Sequence, residues 1–430
     1  MKLHHIALAS LAVMAGQAHA LPPTAFAAAT KVYFSGASAT KAAFGGLFTQ
    51  NCQASTRNDY TLTGNSGYGT VYSCTLNTAN DFGVGAINVF FQKKDDGGSA
   101  IGVFPVSNNT PTAFIDMGTC TTPAGTAAGT CTGLTPVSGP NSIIPDGGTS
   151  DLNLDVFNAA LNKPAGVTAS VGTNWVDPAG VGAYVQTSFG LGVSQGLYAA
   201  LQADQGTTGV PTVNPEAVAQ IIGQGYIPPA TGNWAPLLSA AAPGVNNSIT
   251  ICRRVNGSGT QAAANAYFLQ YPFHTSGRGP SAAGDSGPGY TVSESAESGG
   301  VRTCLTSAGA AFAIGHLSNE SDDSASTWKF VKIGNQTSGT ATARLGQYNY
   351  IYDSFCGING SKPTGTARTI ATQVCTSSAT LTNLNQLSTA QKRGVMGSPA
   401  SAGCTADPAN ALCSQVWRTN GDAKNPVVVY

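Results

Sequence analysis

"RRVNGSGTQAAANAYFL", residues 253–269, is the stretch on which the reading of this chain turns. The residues before it, "NNSITIC" (246–252), predict a strand that runs on to Arg254. A turn with Gly257 and Gly259 follows, and Ser258 or Thr260 caps a helix. Helix starts expose backbone N–H groups that lack intrahelical acceptors, and the helix dipole favours negative charge beside them. Glycines let a ligand approach the backbone, two hydroxyls add donors, and Arg254 adds a planar positive fork. These are the parts of an oxyanion site. The plain alternative is a core helix capped behind a solvent-exposed turn. The stretch is not a nucleotide-phosphate loop, because no Gly-Lys-Ser/Thr follows at the required spacing.

A second strand–turn–helix, "YFSGASATKAAF" (33–44), repeats the logic. Gly36 ends the strand, and Ser38 and Thr40 sit at the helix start. The same plain alternative, a capped core helix, applies here.

Outward from these two units, the chain reads as exported. "MKLHHIALASLAVMAGQAHA" has a positive start, an apolar run and a small-x-small end, so residues 1–20 are expected to be a signal peptide. No other stretch approaches the roughly 18 apolar residues a membrane helix needs. The protein is expected in the periplasm or outside the cell, not embedded in a membrane. Cys52 is the first cysteine, too far along to carry a lipid at a new N-terminus. Lys plus Arg (20) equals Asp plus Glu (20), which gives no charge excess to draw nucleic acid or an anionic membrane. Only 9% of residues are charged, against about a quarter in ordinary domains, so Gly, Ser, Thr, Asn and Ala fill the surface.

Ten cysteines in an exported chain imply disulfides, and neighbour pairing is the expectation. That gives Cys52 with Cys74, Cys120 with Cys131, Cys252 with Cys304, Cys356 with Cys375, and Cys404 with Cys413. Sequence does not fix the pattern. No C-x-x-C occurs, and only His274 and His316 follow the leader, so neither a metal site nor a cofactor is expected.

Strand-like and helix-like pieces alternate, which predicts an α/β protein. "KVYFSG" (31–36), "GAINVFFQKK" (85–94), "GAYVQTSFGLGVS" (182–194), "TWKFVKIG" (327–334) and "YNYIYDSF" (348–355) read as strands. "LDVFNAAL" (154–161), "QGLYAALQ" (195–202), "NPEAVAQIIGQG" (214–225) and "LTNLNQLSTAQKRGVM" (381–396) read as helices. "SAIGVFPV" (99–106) starts a short helix or a further strand. Residues 107–149 read as a disulfide-stapled insertion and 275–300 as a loop.

Five landmarks in order now resemble one family. "SGASATKAAF" (35–44) resembles the Gly-Ala-Gly-Ala-Thr-aromatic entry of the phosphate-binding proteins of bacterial ABC transporters. "GGTSDLNL" (147–154) is similar to their Gly-Ala-Ser-Asp segment, and "RRVNGSGTQAAANAYFL" to their Arg-x-Asp-Gly-Ser-Gly-Thr segment. "QIIGQGYIPPATGNWAPL" (221–238) and "AFAIGHLSNES" (311–321) resemble two further stretches. The resemblance implies a two-lobed type II periplasmic-binding-protein fold, each lobe a mixed sheet flanked by helices. Its crossings would fall near 185–190 and 312–316. The expected division is 21–187 for the first lobe, 188–312 for the second, and 313–430 for the rest of the first lobe with a C-terminal extension.

The ligand set that the resemblance implies is Thr40, Lys41 (by its backbone N–H), Asp151, Arg254, Ser258, Gly259 and Thr260, with Ser99 as the family's middle serine or Ser66 in its place. The implied ligand is inorganic phosphate or a similar oxyanion, held by a monomer, with an ABC permease as the implied recipient. Phosphate keeps one proton near neutral pH, which Asp151 can accept; sulfate has none to offer. Asp151 also reads as a helix N-cap, and Arg254 as a surface arginine. Lys41 stands where the family has an aromatic, and Asn256 where it has aspartate.

Two other readings remain. "GVSQG" (192–196) fits the G-x-S-x-G elbow of a serine hydrolase, with Asp285 and His316 as acid and base. Low charge and many Thr, Asn and Gly residues suit a structural or adhesive surface protein that keeps the fold without a ligand.

Overall fold

Strand β1 (Thr30–Gly36) buries Val32 and Phe34 completely and ends where Gly36 takes φ +121°. A Cβ at Gly36 would lie 2.0 Å from the Thr149 carbonyl oxygen, so only glycine fits the turn. Helix α1 (Lys41–Asn51) follows and places Phe44, Leu47 and Phe48 against Val32 and Phe34 of β1 and against Phe91. The strands of this part are β2 (Asn58–Leu62), β3 (Asn65–Thr75) and β4 (Asn88–Lys94), then helix α2 (Ser99–Ser107) and β5 (Gly147–Ser150). β1 lies between parallel β4 and β5, while β2, β3 and β4 run antiparallel in sequence.

The computed structural model describes residues 20–122, 128–178, 180, 183–273, 279–282, 284–287, 289–377, 380–399, 402–407, 409–418 and 427–429. The expected leader, up to residue 19, and His274 lie outside the described residues.

β6 (Ala183–Ser194) is buried along its whole length and serves two sets of strands. Helices α3 (Gln195–Gln205) and α4 (Pro215–Ile222) lead to β7 (Ile249–Arg254), α5 (Gly259–Leu269), β8 (Tyr290–Ser295) and α6 (Ser298–Ala308). β9 (Phe312–Ser318) and β10 (Trp328–Ile333) pair antiparallel with the 189–194 half of β6. β11 (Ile351–Asn359), followed by α7 (Gly365–Ser377), and β12 (Val395–Gly397) pair with its 183–188 half. In the second set, β7 lies between parallel β8 and β9. The result is a two-lobed α/β fold hung on one shared strand. The units β1–α1 and β7–α5 are counterparts, each a parallel strand released through a Gly-containing turn into a helix.

β6 changes partners between Ser188 and Phe189. The second set continues through Ile333, past residue 313 where the sequence places the return, and β11 is the strand that rejoins the first set. "AFAIG" resembles a crossing because it is buried on both faces, but β9 lies inside the second sheet, with Ala313 and Leu317 in a cluster with Val301 and Leu305 of α6 and with Phe312 and Ile314 in the cluster that holds the alanines of α5. "SAIGVFPV" is helix, and "LDVFNAAL" forms 3-10 turns at Leu154–Asn158 and Ala160–Asn162. The helix expected at 381–396 is limited to Leu381–Gln386, and its end becomes β12.

Five disulfides join neighbouring cysteines. Cys52–Cys74 ties the end of α1 to β3, Cys252–Cys304 ties β7 to α6, and Cys356–Cys375 ties β11 to α7. Cys120–Cys131 closes a hairpin in the insertion, and Cys404–Cys413 staples the tail.

Candidate functional site

The three helix starts of α1, α2 and α5 come to one seam between the lobes. β4 prepares the first of them. Lys93 is 1% exposed, and its ammonium donates to the carbonyls of Gly36 and Ala37 at 3.2 and 3.1 Å and to Asp95 Oδ1 at 2.8 Å. The ammonium satisfies the carbonyls that the β1–α1 turn leaves inside. Thr40 precedes α1, is buried, and has its hydroxyl 3.4 Å from the Ala37 carbonyl. The Lys41 backbone N–H donates to the Ser38 carbonyl at 3.1 Å, so that donor closes its own turn. The Lys41 ammonium reaches the Ser66 carbonyl at 3.3 Å and lies 3.7 Å from Asp95 Oδ2.

Ser99 is the first residue of α2, beside Asp151 at the end of β5. Its hydroxyl donates to Asp151 Oδ2 at 3.2 Å and accepts the Asp151 N–H at 3.0 Å. Ser66, the other candidate, is exposed on β3 and holds Lys41 through its carbonyl. Asp151 is 1% exposed, and burial pushes its carboxyl up to about 6. The Ser99 hydrogen bond and the charges of Arg254 and Lys93 oppose that rise. Asp151 does not cap a helix; residues 154–158 form a 3-10 turn preceded by Asn153.

From the other lobe, β7 delivers Arg254, which is buried rather than a surface residue. Its Nη1 donates to Ser298 Oγ at 2.9 Å and Ser38 Oγ at 3.4 Å, and its Nη2 to the Ala296 carbonyl at 2.8 Å. Ser258 is the N-cap of α5, accepting the Gln261 N–H at 3.4 Å. Gly257, at φ +93°, makes the turn before it. The lobes touch at this point: the Ala100 N–H donates to the Gly257 carbonyl at 2.9 Å. A Cβ at Gly259 would lie 2.2 Å from Ser99 Oγ and 2.4 Å from Asp151 Oδ2.

Thr40, Ser99, Asp151, Arg254, Ser258, Gly259 and Thr260 are thus assembled around the two lobes' contact, while Ser66 is exposed on the lining of the neighbouring cavity. Three polar atoms of the set are buried with no hydrogen-bond partner: Asp151 Oδ1, Arg254 Nε and Thr260 Oγ1. Such atoms are rare in folded proteins. The set offers two donors and a carboxylate at once, beside first-turn amides of α2 and α5.

Sequence reasoning missed Lys93, Ser298 and Tyr184. Tyr184 is fully buried on β6, and its hydroxyl is pushed up by burial with Asp151's charge contributing. A cavity of about 980 Å³ adjoins the seam, bounded by Ser38, Lys41 and Asp95 on one lobe and Glu297, Ser298 and Glu320 on the other.

The hydrolase arrangement does not form. Ser194 is fully buried as the N-cap of α3, donating to the Ala311 carbonyl at 2.6 Å and accepting the Ala313 N–H at 3.0 Å. Both ring nitrogens of His316 lack hydrogen-bond partners, and Asp285 accepts the Ala282 N–H at 2.9 Å. A serine bonded to backbone inside the protein is a cap, not a nucleophile. Among the described residues no group of His, Cys, Asp and Glu side chains could hold a metal ion, and no helix is long and apolar enough to cross a membrane.

The sequence matches no protein-family model and no curated protein. Solved structures with a similar course include a putative phosphate ABC transporter substrate-binding protein with bound phosphate from Clostridium perfringens. It shares 11% identity at a TM-score of 0.44, over 84% of this chain and 98% of its own. An ABC-type phosphate transport receptor from Vibrio cholerae shares 10% identity at 0.40, over 80% and 93%. A phosphate-binding protein from Stenotrophomonas maltophilia shares 13% at 0.36, over 79% and 71%. These superpositions are too loose to transfer a residue or a ligand to this chain.

Proposed function

We propose that this protein is a solute-binding protein that captures phosphate, or a closely related oxyanion, at the seam between its lobes and does no chemistry on it. One observation carries the reading. Asp151 Oδ1 on one lobe, and Arg254 Nε and Thr260 Oγ1 on the other, are each buried without a hydrogen-bond partner. An anion that carries a proton satisfies all three. Its unprotonated oxygens accept from Arg254, Thr260 and the helix-start amides, and its hydroxyl donates to Asp151. Sulfate would set an oxygen against the carboxylate with no proton between them, which favours phosphate. The ligands come from both lobes, so binding draws the lobes together.

In this reading residues 30–188 and 351–418 form one lobe and 189–333 the other, and the chain acts as an exported monomer that passes its cargo to an ABC permease. Five disulfides support export. The direct Ala100–Gly257 hydrogen bond favours a second reading, a surface protein that keeps the fold with its lobes permanently joined.

Thermal unfolding of the oxidised protein with phosphate, arsenate, sulfate and no addition separates the two. A ligand at 1,000 times its Kd stabilises by about 4 kcal/mol. Stabilisation by phosphate and arsenate and not by sulfate is the expected result. Indifference to all three anions would replace the binding reading with the surface-protein one.

A further inference from the structure

The cavity of about 980 Å³ beside the seam is far larger than orthophosphate requires; it is at the upper end of the ~300–1,000 Å³ typical of sites for whole organic ligands. It is present with the lobes already in contact: a Cβ at Gly98 would lie 2.8 Å from Ser258 Cα, and Glu297, which lines the cavity, packs directly on Gly67, where a Cβ would overlap its carboxylate.

The cavity begins at the anion seam. Ser38 and Ser298 both line it, and both accept hydrogen bonds from Arg254 Nη1. Its walls otherwise have the opposite character. Asp95 from one lobe and Glu294, Glu297, Glu320 and Asp322 from the other line it, with Lys41 and Arg302 as the cations among the described residues. Some of these charges are already answered: Glu294 lies 3.5 Å from Arg253, and Asp322 lies 2.7 Å from Arg393. Asp95 Oδ1 takes the Lys93 ammonium, but Asp95 is only 2% exposed and its Oδ2 has no hydrogen-bond partner, with Lys41 at 3.7 Å. Glu320 is half-buried, and burial, with the charges of Asp95 and Asp151 adding to it, opposes its ionisation more than Arg302 and Lys41 favour it. An added positive group there would relieve all three carboxylates. A metal ion suits the wall poorly, since among the described residues no group of such ligands could hold one.

Resting on the oxyanion reading of the seam, we infer that the physiological ligand is a phosphomonoester of an amino alcohol. Its phosphate sits among Ser99, Asp151, Arg254 and Thr260, and its ammonium lies in the cavity against Asp95, Glu297 and Glu320. Below its second pKa of about 6 a phosphomonoester is a monoanion that carries one proton for Asp151, as phosphate does, so the titrations belong at about pH 5.5.

Calorimetric titration of the full oxidised chain tests this with orthophosphate, phosphoethanolamine and glycerol 3-phosphate, on the wild type and on Glu320→Gln and Glu297→Gln. Phosphoethanolamine should bind at least about tenfold more tightly than either amine-free ligand, the gain expected of one charge-assisted hydrogen bond. Glu320→Gln should remove most of that gain and leave orthophosphate affinity unchanged; Glu297→Gln provides the same readout should Glu320→Gln fail to fold. Equal or weaker binding of phosphoethanolamine, or a parallel loss for all ligands in the variants, would overturn the inference while orthophosphate binding kept the seam reading intact. Absence of binding by all three ligands would overturn both.

Discussion

Gly259→Ala isolates the closed seam from the stability of either lobe. The new methyl would lie 2.2 Å from Ser99 Oγ and 2.4 Å from Asp151 Oδ2. Neither neighbour can yield easily. Both are buried, and two hydrogen bonds of 3.2 and 3.0 Å fix them to each other. Overpacking of this kind costs about 1–3 kcal/mol. If the lobes part at this seam, the cost falls on the closed form alone, because Gly259 and Asp151 stand on opposite lobes. The residue begins α5 and has no positive φ, so alanine is tolerated by the backbone and supports the helix by up to about 1 kcal/mol. Phosphate affinity measured by calorimetry should therefore drop roughly 5- to 150-fold. The melting temperature without ligand should hold or rise. Unchanged affinity, or a large fall in the ligand-free melting temperature, would refute the reasoning: the first would mean the ligand does not close this seam, the second that the seam never opens.

Other outcomes follow from the buried groups. Asp151, raised from 3.8 to about 6 by burial, holds its proton more tightly folded than unfolded. Its contribution to stability is full below about pH 4 and is lost as pH rises through 6, so Asp151→Asn should stabilise the ligand-free protein by about 3 kcal/mol at pH 7.5 and by little at pH 4 in denaturant titrations, while abolishing phosphate binding. Burial lowers His316 to about 3, with the opposite sign: its cost appears as pH falls below about 6.5, so His316→Leu should flatten the acid limb of the stability profile. Replacing Cys252 and Cys304 by alanine opens a link across 52 residues between β7 and α6, and should lower unfolding free energy by about 4 kcal/mol. Ser194→Ala should cost about 1–3 kcal/mol as a lost buried cap, and a serine-reactive fluorophosphonate should leave the wild type unlabelled.

What could be read from the sequence was what the chain keeps local. "SGASAT" and "NGSGT" each put strand end, glycine turn and helix start within a few residues, so both helix starts are legible, though only Ser258 caps its helix with its side chain. The disulfides pair cysteines that neighbour one another in the chain, and neighbour pairing found them. The parts that escaped are brought in from elsewhere. "GAINVFFQKK" (85–94) reads as a strand, but nothing local marks Lys93 for burial; it is buried where the Gly36 and Ala37 carbonyls, 57 and 56 residues away, take its donors. Ser298 and Glu297 sit at the end of a Ser/Gly-rich segment with no periodicity to mark them. "AFAIGHL" does not by itself locate the lobe return, because a strand that crosses between sheets and a strand inside one sheet are both buried on both faces.

The most direct measurement is calorimetric titration of phosphate into the oxidised wild type and Arg254→Ala at neutral pH. Arg254 is fully buried at the seam, and hydrogen bonds to charged groups contribute about 1.5–3 kcal/mol each. The wild type should show saturable binding of one phosphate per chain, and Arg254→Ala should weaken it by about a hundredfold or more while remaining folded by circular dichroism. Equal affinity in the two proteins, or no heat in the wild type, would contradict an oxyanion site between the lobes.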